Sequence, residues 1–191
     1  MSIFAYPEML IEDASNNLGE MFDIAVNYLH YDPDEFMKMF IECGNAKEFA
    51  HGSARIISGM DGQDILDDVL FKLYHKVSEV DYIPSFRLSP EYWAGWILAQ
   101  YQHYSCQSFK TITDCIPFSS IVKLYHPYHE AHEYKTFELI DEKLKSKGIP
   151  LFNTINANGD IVNIKSIPTP ESKILYLEKL KNNSKHSRDA R

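Results

Sequence analysis

The run His126-Pro127-Tyr128-His129-Glu130-Ala131-His132-Glu133 packs imidazoles and carboxylates together and is the one stretch of the chain with metal-ligand chemistry. On a continuous helix His129 and Glu133 are four apart and share a face, and His129 and His132 are three apart, so two or three donors converge. The pattern differs from a His-Glu-x-x-His zinc site because position 133 is Glu, and no other His or Cys pair is spaced to complete four ligands. Glu130 and Glu133 also suit the positive end of a helix, so the bland reading is a capped, partly exposed helix start. A metal-dependent hydrolase is therefore the weaker alternative, and no metal is expected. His103 and Cys106, three apart, pair an imidazole with a thiol, but no third group stands ready to orient them, and a buried thiol is the expectation. Gly59-Met60-Asp61-Gly62 lacks the Lys-Ser/Thr step of a phosphate loop. These readings predict a protein that is not an enzyme, with no catalytic residue and no cofactor.

The elements that must position these side chains are mostly helices. A first helix is expected from about Asp13 to His30, with Leu18, Met21, Phe22, Ala25 and Leu29 on one face. Asp32-Pro33-Asp34-Glu35 opens a second that Gly44 ends, with one further turn from Asn45 to Ala50. Arg55 to Gly59 is short and β-branched and reads as an extended linker or small edge strand. Asp61 and Asp64 cap a third helix carrying Ile65, Leu66, Val69, Leu70 and Leu73, and Val77 to Leu88 reads as a loop. Two shorter helical pieces, Ser108 to Cys115 and Ser119 to Tyr125, precede a longer helix expected from Pro127 to about Lys147. Beyond it, Asn156-Ala157-Asn158-Gly159-Asp160 between two apolar runs is a hairpin signal, and Thr169-Pro170-Glu171 opens a last helix. The fold class expected is mainly α: a single-domain helical bundle over residues 1–148, with a small C-terminal β-hairpin and terminal helix over 149–191.

Bulk properties narrow the function classes. No apolar run approaches the length of a membrane span, and the first residues carry no basic leader, so a cytoplasmic protein is expected. Cys43, Cys106 and Cys115 fit reduced thiols. The net charge of -8 is uneven: residues 1–90 hold 16 acids against 6 bases, while residues 91–191 hold 11 against 13. An acidic half suits a basic protein partner and opposes direct nucleic-acid binding by that half, although a solvated acidic surface has the same composition. Lys173, Lys179, Lys181, Lys185, Arg188 and Arg191 give the C-terminal segment a modest basic excess, which fits a solvated terminus better than a phosphate-binding one.

The most specified helix is the one after Ser89. Ser89 offers a cap oxygen, Pro90 occupies the first helical position, and Glu91 faces the positive end of the dipole. Trp93, Trp96, Ile97, Tyr101 and Tyr104 follow at steps of three and four, an aromatic stripe that must meet either the core or a partner. Trp93, Trp96 and Ile97 are expected inside, with Tyr92 or His103 nearer the surface.

The run Ser89-Pro90-Glu91-Tyr92-Trp93-Ala94-Gly95-Trp96-Ile97-Leu98-Ala99-Gln100-Tyr101-Gln102 resembles the signature of an uncharacterised bacterial family of antitoxin-like regulators. Ser108-Phe109-Lys110, Leu124-Tyr125 and His129-Glu130-Ala131 follow in the order of that family, and Leu18 to Val26, Asp32 to Phe36 and Ile57 to Met60 precede it, so the likeness covers residues about 14 to 140. The resemblance implies a cognate protein partner, such as an ADP-ribosyltransferase-type toxin. It also implies a helix-turn-helix DNA-binding module, and here the chain departs, since residues 149–191 carry a hairpin signal and one helix. The expectation is a non-enzymatic protein-binding protein, with Tyr92, Trp93, Trp96, His103, His129 and Glu130 as candidate partner-binding residues and a homo-oligomer left open. The alternative is a phage or mobile-element regulator or anti-defence protein acting on nucleic acid or a nucleoprotein through the C-terminal segment.

Overall fold

The computed structural model describes residues 4–83, 88–151, 153–155 and 161–163. These residues are mainly helical. Ten α-helices run in order: α1 Ile11–Asp23, α2 Pro33–Glu42, α3 Asn45–Ala50, α4 Ala54–Ile57, α5 Gly62–Tyr74, α6 Pro90–Ser105, α7 Phe109–Cys115, α8 Phe118–Lys123, α9 Tyr125–Tyr128 and α10 Glu133–Ser146. None is long and apolar enough to cross a membrane among the described residues.

Helix α6 is the axis of the molecule. Every residue from Ile97 to Gln107 is buried, so the helix is covered on all sides rather than along one stripe. Its polar residues are consequently inside and act as clasps. Gln100 Nε2 donates to Ser15 Oγ (3.0 Å), and that hydroxyl donates to the Ile11 carbonyl (2.6 Å). Gln102 Nε2 reaches the carbonyls of Ala50 (3.2 Å) and Gln107 (3.3 Å). The amino-terminal strap Phe4-Ala5-Tyr6 lies along the carboxyl half of α6, where the Ala5 N–H donates to the His103 carbonyl at 3.1 Å.

Helix α1 packs on α6 through a crossing that only glycine permits. A methyl group at Gly95 would stand 2.5 Å from the Leu18 carbonyl oxygen and 2.9 Å from Gly19 Cα. One at Gly19 would stand 2.9 Å from the Tyr92 carbonyl oxygen and 3.0 Å from its ring. Gly19 therefore interrupts a good helix former in α1 because the backbone of α6 occupies the space a side chain would fill. Past Asp23 the helix widens into a π-turn over Ile24–Tyr28, closed by a bond from the Leu29 N–H to the Ile24 carbonyl (3.0 Å).

Around this pair the aromatic side chains interlock. Phe22 stacks on Phe118 at 3.9 Å and meets Phe36 edge-on at 5.6 Å, while Phe40, Phe49 and Phe109 form an edge-to-face trio. The caps expected from sequence form: Asp32 accepts from the N–H groups of Asp34 and Glu35, Asp61 and Asp64 make a capping box, and Ser89 accepts from the Tyr92 N–H at 2.9 Å.

Two expectations need correction. Arg55 to Gly59 is neither extended nor a strand, because Ala54–Ile57 makes a helical turn. Ile56 and Ile57 are both buried there, and the Asn17 amide ties the turn to α1 through the carbonyls of Ile57 and Met60, each at 2.8 Å, so packing overrides β-branched propensity. The helix expected from Pro127 is likewise divided. Pro127 lies inside the short α9, the chain turns at residues 129–132, and the long helix starts only at Glu133, with His132 extended at its cap position. Beyond α10, Asn153–Ile155 and Ile161–Asn163 pair antiparallel, with Asn153 opposite Asn163. The turn expected at 156–160 and the terminal helix expected after Thr169 lie outside the described residues.

Candidate functional site

The amino-terminal turns of α6 are the part of that helix left open. Trp93 and Trp96 pack on the core from one side and remain partly exposed, which corrects the expectation that both lie inside. The reason is angular: at about 100° per residue, Gly95 faces α1 while Trp93 and Trp96 are turned away from that crossing, toward α9 and the turn after it. They line a groove of about 240 Å³ with Tyr92, Tyr128, His129 and Glu133, floored by Ile97 and edged by Asn16 and Leu88.

Each wall is fixed by contacts from a different element. The Tyr92 hydroxyl donates to Asn16 Oδ1 on α1 at 3.3 Å. Trp93 meets the Tyr125 ring edge-on at 5.9 Å, and the Tyr125 hydroxyl donates to the Leu88 carbonyl at 3.3 Å, which closes the groove against the segment before α6. The His129 ring stacks on Tyr125 with centroids 4.3 Å apart, and its Nδ1 lies 2.9 Å from the Tyr125 carbonyl. Glu133 Oε2 lies 3.0 Å from His132 Nδ1.

Behind the groove sits a buried carboxylate. Asp23 is 6% exposed and accepts from the Ser89 hydroxyl (2.5 Å), the Asn27 amide (2.8 Å) and the Tyr82 hydroxyl (3.0 Å). Ser89 therefore does two jobs, capping α6 and anchoring it to α1. Burial pushes the Tyr92 phenol above its ordinary range, and the negative charges of Glu20 and Asp23 push it further. Glu20 itself is raised by burial, against the pull of the Gly62 N–H it accepts, with Asp61, Asp23 and Asp64 adding to the rise. The field at this end of α6 is negative.

The structure thus brings together four of the six candidate residues: Tyr92, Trp93, Trp96 and His129. Glu130 points into solvent beside His129, 3.9 Å away. His103 is a correction: it is fully buried rather than near the surface, its Nε2 lies 2.9 Å from the Tyr6 carbonyl, and its ring stacks on Phe4. Covered by the amino-terminal strap, it is not placed to touch a partner. Cys106 is also fully buried, and its thiol lies 3.9 Å from the His103 carbonyl. The break in the helix after Tyr128 removes the alignment of His129 with Glu133 on which metal ligation depended. Among the described residues no three His, Cys, Asp or Glu side chains are arranged to hold a metal.

Asn16, Leu88 and Tyr128 escaped the sequence reading. They reach the groove from α1, from the segment before α6 and from α9, and no local spacing links those positions.

Fold and groove together define a helical scaffold presenting an aromatic recess at one end of its central helix. Compared with known proteins, the chain matches no family model, no curated protein and no solved structure.

Proposed function

We propose that the chain is a non-enzymatic, antitoxin-like protein that binds and neutralises a cognate protein, with the groove at the start of α6 as part of its contact surface. One observation carries the binding reading: both tryptophans of the chain are partly open in a recess although their helix is enclosed from Ile97 onward. Large aromatic side chains in a pocket bury much area at low entropic cost and often dominate protein contacts. The acidic charge of residues 1–90 supports a basic partner. An ADP-ribosyltransferase-type toxin as that partner, and with it a cytoplasmic setting, rests on the resemblance of the Ser89 to Gln102 motif, while the C-terminal hairpin-and-helix appendage rests on the Asn158-Gly159 and Thr169-Pro170 signals, where the chain departs from that family.

The test is a pull-down from native extract with tagged protein, read by mass spectrometry and by assay of co-purified nucleic acid. A stoichiometric toxin-like protein that wild type retains and a Trp96→Ala variant of native circular dichroism releases is the expected result. Nucleic acid with no protein partner would overturn the proposal and move the search to the basic C-terminal segment.

A further inference from the structure

Resting on the reading of the groove as a binding surface, we infer that it receives an organic cation, the guanidinium or ammonium of a basic side chain on a protein partner. Four of its lining side chains, Tyr92, Trp93, Trp96 and Tyr128, are π-systems, whose faces carry negative quadrupole density that attracts cations, tryptophan most strongly. Among the described residues its one carboxylate is Glu133, and no Lys or Arg lines it. Glu20 and Asp23 stand behind Tyr92 and add negative potential. The imidazole of His129 also lines it, with Nδ1 2.9 Å from the Tyr125 carbonyl.

Size supports a side chain over a larger ligand. A groove of about 240 Å³ is below the range of about 300–1,000 Å³ in which drug-sized molecules are enclosed. A neutral aromatic or aliphatic occupant would offer the Glu133 carboxylate nothing beyond its existing neighbour His132 Nδ1, whereas a guanidinium stacks on a tryptophan face while donating to a carboxylate. The acidic surface of residues 1–90 then draws in the basic region of the partner around that anchor.

The two tryptophans of the chain both line this groove, so intrinsic tryptophan fluorescence reports on it alone. The full chain is titrated with the N-acetylated, C-amidated peptide Gly-Gly-Arg-Gly-Gly, whose only cation is the guanidinium, and with the same peptide carrying neutral citrulline in place of arginine. Saturable quenching by the arginine peptide is expected, with citrulline binding about tenfold more weakly and Glu133→Gln weakening arginine by about three- to tenfold. Trp96→Phe, which keeps a ring of lower cation affinity and leaves Trp93 as reporter, is expected to weaken it further. Equal binding of both peptides, no saturable response, or undiminished binding to Glu133→Gln would each overturn the inference. The partner reading fails separately: arginine binding without any protein retained from extract removes the antitoxin proposal alone, and a partner retained equally by wild type and Glu133→Gln, with no arginine response, removes this one alone.

Discussion

Replacing Gly95 with alanine tests the crossing on which the scaffold depends. In an ordinary helix interior Gly→Ala stabilises by about 1 kcal/mol, because alanine loses less backbone entropy on folding. At Gly95 the added methyl stands 2.5 Å from the Leu18 carbonyl oxygen and 2.9 Å from Gly19 Cα, and both are backbone atoms that cannot rotate aside. The two helices must separate, and overpacking of this kind costs about 1–3 kcal/mol, occasionally more, before the propensity gain is subtracted. With two backbone contacts this short the upper part of that range applies, about 2–3 kcal/mol, so we expect Gly95→Ala to be destabilised by about 1–2 kcal/mol net, a fall in Tm of roughly 2–8 °C for a chain of this length. Urea unfolding followed by tryptophan emission measures it, since both tryptophans lie on α6. Gly44→Ala is the control: its φ of +88° strains any side chain, yet nothing lies within 4 Å, so its loss of roughly 1–2 kcal/mol is local. Gly19→Ala/Gly95→Ala should be non-additive, because the two sites share one contact. A Gly95→Ala protein as stable as wild type, or stabilised by the propensity term, would refute the close crossing.

Three further outcomes follow from the hydrogen-bond pattern. Burial raises the Asp141 carboxyl to about 6, partly offset by the bond it accepts from the Tyr101 hydroxyl at 2.7 Å. Because its folded pKa lies above the unfolded value of 3.8, the stability it contributes is full below about pH 4 and lost as pH rises through 6, an effect of about 3 kcal/mol at most. Tyr101→Phe should raise that pKa further, and a carboxyl NMR titration that finds Asp141 near 4 in both proteins would sink the argument. Asp23→Ala takes the acceptor from the half-buried Ser89 and Tyr82 hydroxyls, while exposed Asn27 keeps Glu91, and we expect a loss of about 2–4 kcal/mol in denaturant unfolding, against which a loss under 1 would count. Asp34 joins α2 to α8 through the Ser119 N–H (2.9 Å) and hydroxyl (2.6 Å), so an Asp34→Ala/Ser119→Ala double-mutant cycle should return a coupling of about 1–2 kcal/mol rather than zero.

What the sequence made legible was local. The caps at Asp32, Asp61 and Ser89 were readable because a short polar side chain and the N–H two or three residues on are neighbours in the chain, whatever the rest of the protein does. The faces of α1 and α5 were readable because each helix has one covered side, so apolar spacing records it: Leu18, Met21, Phe22 and Ala25, or Ile65, Leu66, Val69 and Leu70, are all buried. Helix α6 broke that logic. Periodicity finds a boundary between two environments, and from Ile97 onward α6 meets only one. Gln100, Gln102 and His103 therefore look like a polar face and are instead held inside by Ser15, Ala50 and Tyr6, partners that are each more than fifty residues away. The false start at Pro127 has a different cause. Proline is compatible with the first turn of any helix, and nothing in its neighbours tells a helix of four residues from one of twenty.

The same central position explains why the groove sits where it does. A helix wrapped on all sides cannot present a contact face along its length, so only an end can remain open. At the carboxyl end the strap of residues 4–6 lies against His103, while at the amino end Ser89 is anchored to Asp23 and leaves room between α1 and α9. The glycine crossing then decides which side chains occupy that room. With Gly19 against the Tyr92 backbone, Tyr92 is held to α1, and Trp93 and Trp96 project to the other side, where Tyr125 and Tyr128 meet them. The spacing Tyr-Trp-x-Gly-Trp thus combines two requirements in five residues: a position without a side chain where the helices touch, and two tryptophans about 100° or more around the helix from it. Tyr101 and Tyr104 sit where α6 is enclosed and serve packing, whereas the partly exposed area of the cluster at the open end is what the proposed contact would cover.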